Sequence, residues 1–275
     1  ELDKKFFKKM LKKRIIFSLL YDDGFFVQSR NFDKQKVGDL NWLIKKFKIE
    51  NVSYYIDELI ILDVSKKKDK HKFTSILKEI SKFFFVPIAA GGGISSFNDA
   101  SNLLSNGADK VLVNSILTKD SGIIKKISSV YGSQSIIAAV DIKKINSKYS
   151  FFINNGDTEI KKDIKNYIKL IEKLSIGELM LQSIDQDGTG MGADLNSLSL
   201  IPNKFSKPII LTGGFGNMKH FADALSVNKI QAIATSNLFN FIGDGFKIAR
   251  EDLSKKFNLA KWNPEKIKKL KGRSI

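Results

Sequence analysis

Two glycine-rich turns follow two similar apolar runs at one fixed distance. "VPIAAGGGISSF" at 86–97 aligns with "KPIILTGGFGNM" at 207–218, placing Pro87 over Pro208, Gly92 over Gly213 and Gly93 over Gly214, an offset of 121 residues. Each turn is followed by a run ending in small polar residues: "VNS" with Asn114 and Ser115, and "ATSN" with Ser236 and Asn237. Glycines let backbone N–H groups approach an anion, and a following helix N-terminus favours negative charge. Two such cradles suit a long ligand with a phosphate at each end. A carboxylate belongs to the same frame. Asp141 closes the run "SIIAAVD", and the shared offset lays it over Leu20 of "RIIFSLL". An aspartate at the end of a buried strand is a candidate general acid or base; leucine at the equivalent place transfers no proton.

Eight short β-rich runs carry these residues: "RIIFSLL", "ELIILDV", "VPIAA", "KVLVNS", "SIIAAVD", "ELMLQS", "KPIILT" and "QAIATS". Segments with helical spacing, such as "FNDASNLLSNG" and "KKDIKNYIKLIEKLS", lie between most of them. Alternating strands and helices imply parallel pairing with right-handed crossovers, and eight units close into a (β/α)₈ TIM barrel. An open doubly wound sheet is the other α/β arrangement, but no dinucleotide-binding glycine fingerprint follows the first strand. The offset also sets Ser115 over Ser236, and Ile15 and Ile16 over Ile136 and Ile137, so the expected barrel has a half-barrel internal repeat. The expected division is an N-terminal extension at 1–10, the barrel at 11–250 and a basic tail at 251–275.

The whole chain sets bounds on function. It has 275 residues and no cysteine, which excludes disulfides, cysteine metal sites and a cysteine nucleophile. With His71 and His220 the only histidines, neither a metal nor another cofactor is expected. No apolar run approaches the ~18 residues of a membrane span. The opening "ELDKKFFKKMLKKR" lacks the apolar core of a signal peptide; Met10 is a candidate start, and a cytoplasmic location is expected. The net charge is +17, yet only four of the 46 basic residues are arginines, the preferred readers of phosphate forks and base edges. The excess is read as a solvated lysine-rich surface that favours anionic small molecules, with no nucleic-acid partner.

The motifs "KRII", "DELIILD", "VPIAAGGGI", "GADKVLVNS", "AAVDIKK", "GELMLQSIDQDGTGMGADL" and "KPIILTGGFG" together resemble the cyclase subunit of imidazole glycerol phosphate synthase, over roughly residues 11–250. That resemblance implies a barrel that receives ammonia from a separate glutaminase subunit, as a heterodimer, and cyclises a two-phosphate substrate. It implies phosphate contacts at Gly92, Gly93, Asn114, Ser115, Gly213, Gly214, Ser236 and Asn237, with Asp63, Ser183, Asp187, Gly188 and Thr212 completing the upper site. Two aspartates, at the ends of strands one and five, do its acid and base work. The second is Asp141; the first is replaced by Leu20, with Asp22 and Asp23 nearby and Gln28 in place of a loop lysine. At the opposite end the resemblance implies a charged ammonia gate of Arg14, Glu58, Lys110 and Glu178, with Asp109 facing the glutaminase. A gate kept and an acid lost is the pattern expected of a subunit that hands ammonia on, with a sugar amidotransferase of surface-polysaccharide biosynthesis as acceptor. The alternatives are the lyase reaction of histidine biosynthesis itself, and a non-catalytic scaffold binding a phosphorylated small molecule.

Overall fold

The computed structural model describes residues 12–237 and 244–260; the extension at 1–10 and the tail beyond 260 lie outside them. Twelve strands follow in chain order: β1 (Arg14–Asp22), β2 (Phe25–Arg30), β3 (Asp33–Gly38), β4 (Glu58–Asp63), β5 (Ile88–Gly91), β6 (Lys110–Val113), β7 (Ile136–Ile145), β8 (Lys148–Ile153), β9 (Thr158–Ile160), β10 (Glu178–Ser183), β11 (Ile209–Thr212) and β12 (Ile230–Thr235). The parallel order β1-β4-β5-β6-β7-β10-β11-β12 returns to β1 and closes an eight-stranded barrel. All eight expected runs are its staves. Each run is apolar almost throughout because both faces of a barrel strand are buried, one in the lumen and one beneath the helices. Ile15, Phe17 and Leu19 join the outer core, while Ile16, Ile60, Ile137, Met180 and Ile210 fill the lumen.

The helices are set by their own ends. Asp69, Ser96, Asp163 and Asn217 each accept a backbone N–H of the first turn, as good N-caps do. The helix Lys70–Ser81 then buries Phe73, Leu77 and Ile80 against the strands. The final helix, Gly245–Ser254, crosses the expected barrel boundary at 250. Beyond it the chain still belongs to the barrel: Lys13 N–H donates to Asn258 O at 2.9 Å, and Ala260 N–H to Lys13 O at 2.9 Å. Buried Arg250 fastens this segment by donating to Asp57 and to Ala260 O, each at 2.8 Å. No helix among the described residues is long and apolar enough to cross a membrane.

Two antiparallel excursions were not separated in the sequence reading. β1 turns back through β2 and β3, and β7 runs on past Asp141 to pair with β8, then β9. Their two-residue turns hold Asn31 and Phe32 (φ 53° and 71°) and Asn146 and Ser147 (φ 48° and 63°), the left-handed pairs that two-residue hairpins require. The half-barrel repeat therefore includes a hairpin after the first strand of each half.

Candidate functional site

Sheet register settles which side chains share the lumen. In one half Ile16 pairs with Glu58 and Leu20 with Leu62; in the other Ile137 pairs with Glu178 and Asp141 with Gln182. Leu20 thus stands in its half where Asp141 stands in the other, and both line the same cavity at the carboxyl ends of the strands. Neither neighbouring aspartate substitutes for Leu20. Asp22 pairs with Lys34 at 2.7 Å, and Asp23, its side chain 76% exposed, pairs with Lys72 at 2.8 Å.

Asp141 is buried and accepts a hydrogen bond from Asn114 Nδ2 at 2.9 Å. Burial, reinforced by the charge of Asp187, pushes its carboxyl up to about 7 against the Asn114 bond. Burial also raises Asp187, which the N–H of Phe32 opposes at 3.1 Å. A carboxyl poised near neutrality can give or take a proton, but across from it Leu20 and Leu62 form an apolar wall. The oxygen of the same amide, Asn114 Oδ1, is buried without a partner.

The two glycine turns repeat each other in detail. A Cβ on Gly92 (φ 113°) would sit 2.2 Å from Asp63 O, and one on Gly213 (φ 98°) 2.7 Å from Ser183 O, so each turn lies directly on the backbone of the neighbouring strand end. Asp63 and Ser183 support the turns through their backbone. The Asp63 carboxylate itself accepts from Ser65 N–H at 2.9 Å and lies 3.5 Å from Lys68 Nζ. Gly92, Gly93, Asn114 and Ser115 line the main cavity of about 730 Å³. Thr212, Gly213, Gly214, Ser236 and Asn237 line a separate cleft of about 20 Å³, with Asp187 and Gly188 on its rim.

The hairpins roof the mouth. Asn31 N–H donates to Asp187 O at 3.0 Å, Asn155 Nδ2 to Val64 O at 3.3 Å, and Ser115 Oγ to Asn154 Oδ1 at 3.0 Å. They also bring in residues the sequence reading missed. Lys34 comes from β3, while Lys66 and Lys68 come from the run read as solvated surface; all three line the main cavity. Alternate positions of β3 and the tight turn "DVSKKK" were the available signals.

At the amino-terminal end Arg14, Glu58, Lys110 and Glu178 close a ring. Arg14 bonds Glu58 at 2.7 Å and also Glu178, while Lys110 reaches Glu58 at 3.0 Å and Glu178 at 2.6 Å. Burial pushes Glu58 up against the pull of Lys110 and Arg14; Glu178 is held below the ordinary carboxylate range because Arg14 and Lys110 outweigh its burial. Two cations face two carboxylates, so the buried charge is compensated. Asp109, exposed on the same end, accepts from Ile88 N–H at 2.8 Å. Among the described residues no cluster of three or more His, Cys, Asp or Glu is placed to hold a metal.

A closed (β/α)₈ barrel with repeated glycine turns above and a charged ring below defines a class of two-ended barrel. The family described as "Histidine biosynthesis protein" matches residues 14–242, and the chain belongs to it. It is 46% identical over 256 residues to a protein of Parasynechococcus marenigrum named "Putative imidazole glycerol phosphate synthase subunit hisF2", covering 92% of this chain and 95% of that one. Imidazole glycerol phosphate synthase subunits HisF of Flavobacterium psychrophilum and Saccharolobus solfataricus are 36% and 34% identical, each over 84% of this chain and 92% and 91% of their own. The chain is a divergent HisF-type barrel.

Proposed function

We propose that this protein is a HisF-like subunit of a glutamine amidotransferase: it takes ammonia from a HisH-like glutaminase docked on its amino-terminal face and passes it up the lumen to the mouth. From there the ammonia serves a separate sugar amidotransferase in surface-polysaccharide biosynthesis. The observation that carries this reading is the pairing of an intact charged ring with Leu20 facing Asp141. An acid/base pair typically contributes ~10²–10⁴ in rate, and half of it is missing. Conduction needs no such pair. Between ring and mouth the lumen is filled by Ile16, Ile60, Ile137, Met180 and Ile210, an apolar interior that neutral ammonia enters at less cost than ammonium because burying a lone charge is costly.

The second reading is the cyclisation step of histidine biosynthesis, favoured by the names of the relatives and by Asp141 of β7, whose carboxyl burial pushes up to about 7. Co-expression with the glutaminases encoded beside it separates the two readings from a protein that acts alone. A stable complex whose formation is weakened by Asp109→Lys supports a docked glutaminase. If the protein runs alone with every one of them, the ammonia reading fails.

A further inference from the structure

The two glycine turns are alike in backbone but unlike in what surrounds them. The turn at Gly92–Gly93 opens into the 730 Å³ cavity, a size that suits a compact metabolite. Among the described residues the turn at Gly213–Gly214 opens into the cleft of about 20 Å³, room for about one water molecule. The β2–β3 hairpin stands between them. Ser29 lines both spaces, and its carbonyl oxygen lies 2.0 Å from where a Cβ on Gly188 would sit, so backbone touches backbone there. Asn31 and Phe32, at the hairpin tip, both donate their N–H groups to Asp187.

Charge divides the same way. Lys34, Lys66 and Lys68 line the main cavity, whereas the lining of the small cleft holds no cation among the described residues. Lys68 Nζ bonds Asp63 O at 2.5 Å and lies beside Gly93, and Lys34 is paired with Asp22. Lys66 has no ion pair among the described residues. Asp33 and Asp157, near the hairpin tips, and Asp63 and Asp141 are the acidic groups of this lining. Deeper in, Asn114 Oδ1 is a buried acceptor with no donor, beside Asp141 and across from the Leu20–Leu62 wall.

We infer that the mouth takes a ligand whose anionic charge is confined to one end: a phosphorylated sugar held at Gly92–Gly93 by Lys66 and Lys68, giving a hydroxyl hydrogen to Asn114 Oδ1, and laying its C–H face on Leu20 and Leu62. A second phosphate at the far end of the ligand gains no partner at the other turn, although the repeated turns alone suggest two equal sites. The inference goes beyond the ammonia route, which places the sugar on a separate enzyme, and it is tested on the isolated chain, without glutaminase or acceptor enzyme. Failure here leaves the ammonia route standing, and failure to find a glutaminase leaves this site standing.

The experiment is isothermal titration of the full chain with ribose 5-phosphate and with fructose 1,6-bisphosphate. The two should bind with dissociation constants within about threefold of each other, because a second phosphate gains no partner. Lys68→Ala should weaken both by about tenfold, the usual effect of losing one charge-assisted hydrogen bond, and Lys66→Ala should weaken both in the same sense. Ser236→Asp, which sets a negative charge at the second turn, should change neither. Absence of ribose 5-phosphate binding, or bisphosphate binding tenfold or more tighter and lost in Ser236→Asp, overturns the inference. A circular dichroism spectrum and melting curve for each variant separate lost binding from lost fold.

Discussion

Asp141→Asn removes one titrating proton while keeping an oxygen that can accept from Asn114. The wild-type carboxyl is raised from 3.8 to about 7 in the folded chain, chiefly by burial. At about 1.4 kcal/mol per unit this costs the folded state up to ~4 kcal/mol once the group ionises. The native state binds the extra proton, so wild-type stability falls as pH rises from the unfolded value near 4 through the folded value near 7. The asparagine variant lacks that dependence, and Asp187 is common to both proteins. Its stability relative to wild type should therefore improve with pH, the gap widening by about 2–3 kcal/mol between pH 5 and pH 8. Urea unfolding of both proteins at several pH values in one buffer series measures it. A gap that stays constant across that range would show that Asp141 carries no proton near neutrality, and the account of the mouth as a low-polarity acid site would be wrong.

Three further outcomes follow from the same geometry. Glu58→Gln leaves the ring with two cations against one carboxylate, and should destabilise the fold by ~3–5 kcal/mol, read as a lower urea midpoint with unchanged slope. Leu20→Asp sets a second carboxyl across the mouth from Asp141; with ammonium salt and the two-phosphate substrate of the cyclase subunits it should raise a weak or absent turnover, whereas robust turnover by the unaltered protein that is lost in Asp22→Asn would move the strand-one acid to Asp22. Asp187→Ala removes the acceptor of Phe32 N–H, so proteolysis at the β2–β3 tip should quicken while the melting temperature shifts by only a few degrees.

Much of this architecture was legible because barrel strands buried on both faces write continuous apolar runs. The repeat could be read because Pro87 and Pro208, Gly92 and Gly213 serve identical backbone roles, the glycines lying on Asp63 and Ser183. Placing Leu20 opposite Asp141 needed only the offset, and strand register agrees. The hairpins were not legible as such. "FFVQSR" follows "DDG" closely enough to look like one loop, and β3, "DKQKVG", is exposed over its first four residues and has no apolar alternation to announce it. That omission hid Lys34. Lys66 and Lys68 were hidden differently: a lysine run looks the same in sequence whether its ammonium groups face solvent or bend over a glycine turn. Repetition of the turns spoke for two like sites, and the packing of Ser29 against Gly188, which sets the two spaces apart, has no signal in the repeat. The last helix runs across position 250, where Arg250 is buried on Asp57.

The measurement closest to the central claim compares product formation by the proposed assembly of this chain with a glutaminase and an acceptor enzyme, using two nitrogen sources. Lys110 bridges Glu58 and Glu178 in the ring and lies far from the mouth chemistry. In Lys110→Ala the ratio of glutamine-dependent to ammonium-dependent rate should fall by about tenfold, within the range of coupling between linked sites, because ammonium in bulk reaches the acceptor without passing the ring. A lowered stability depresses both rates and leaves the ratio intact. A ratio unchanged in Lys110→Ala, with both rates abolished by Asp141→Asn in a folded protein, contradicts the account and makes the barrel a catalyst in its own right.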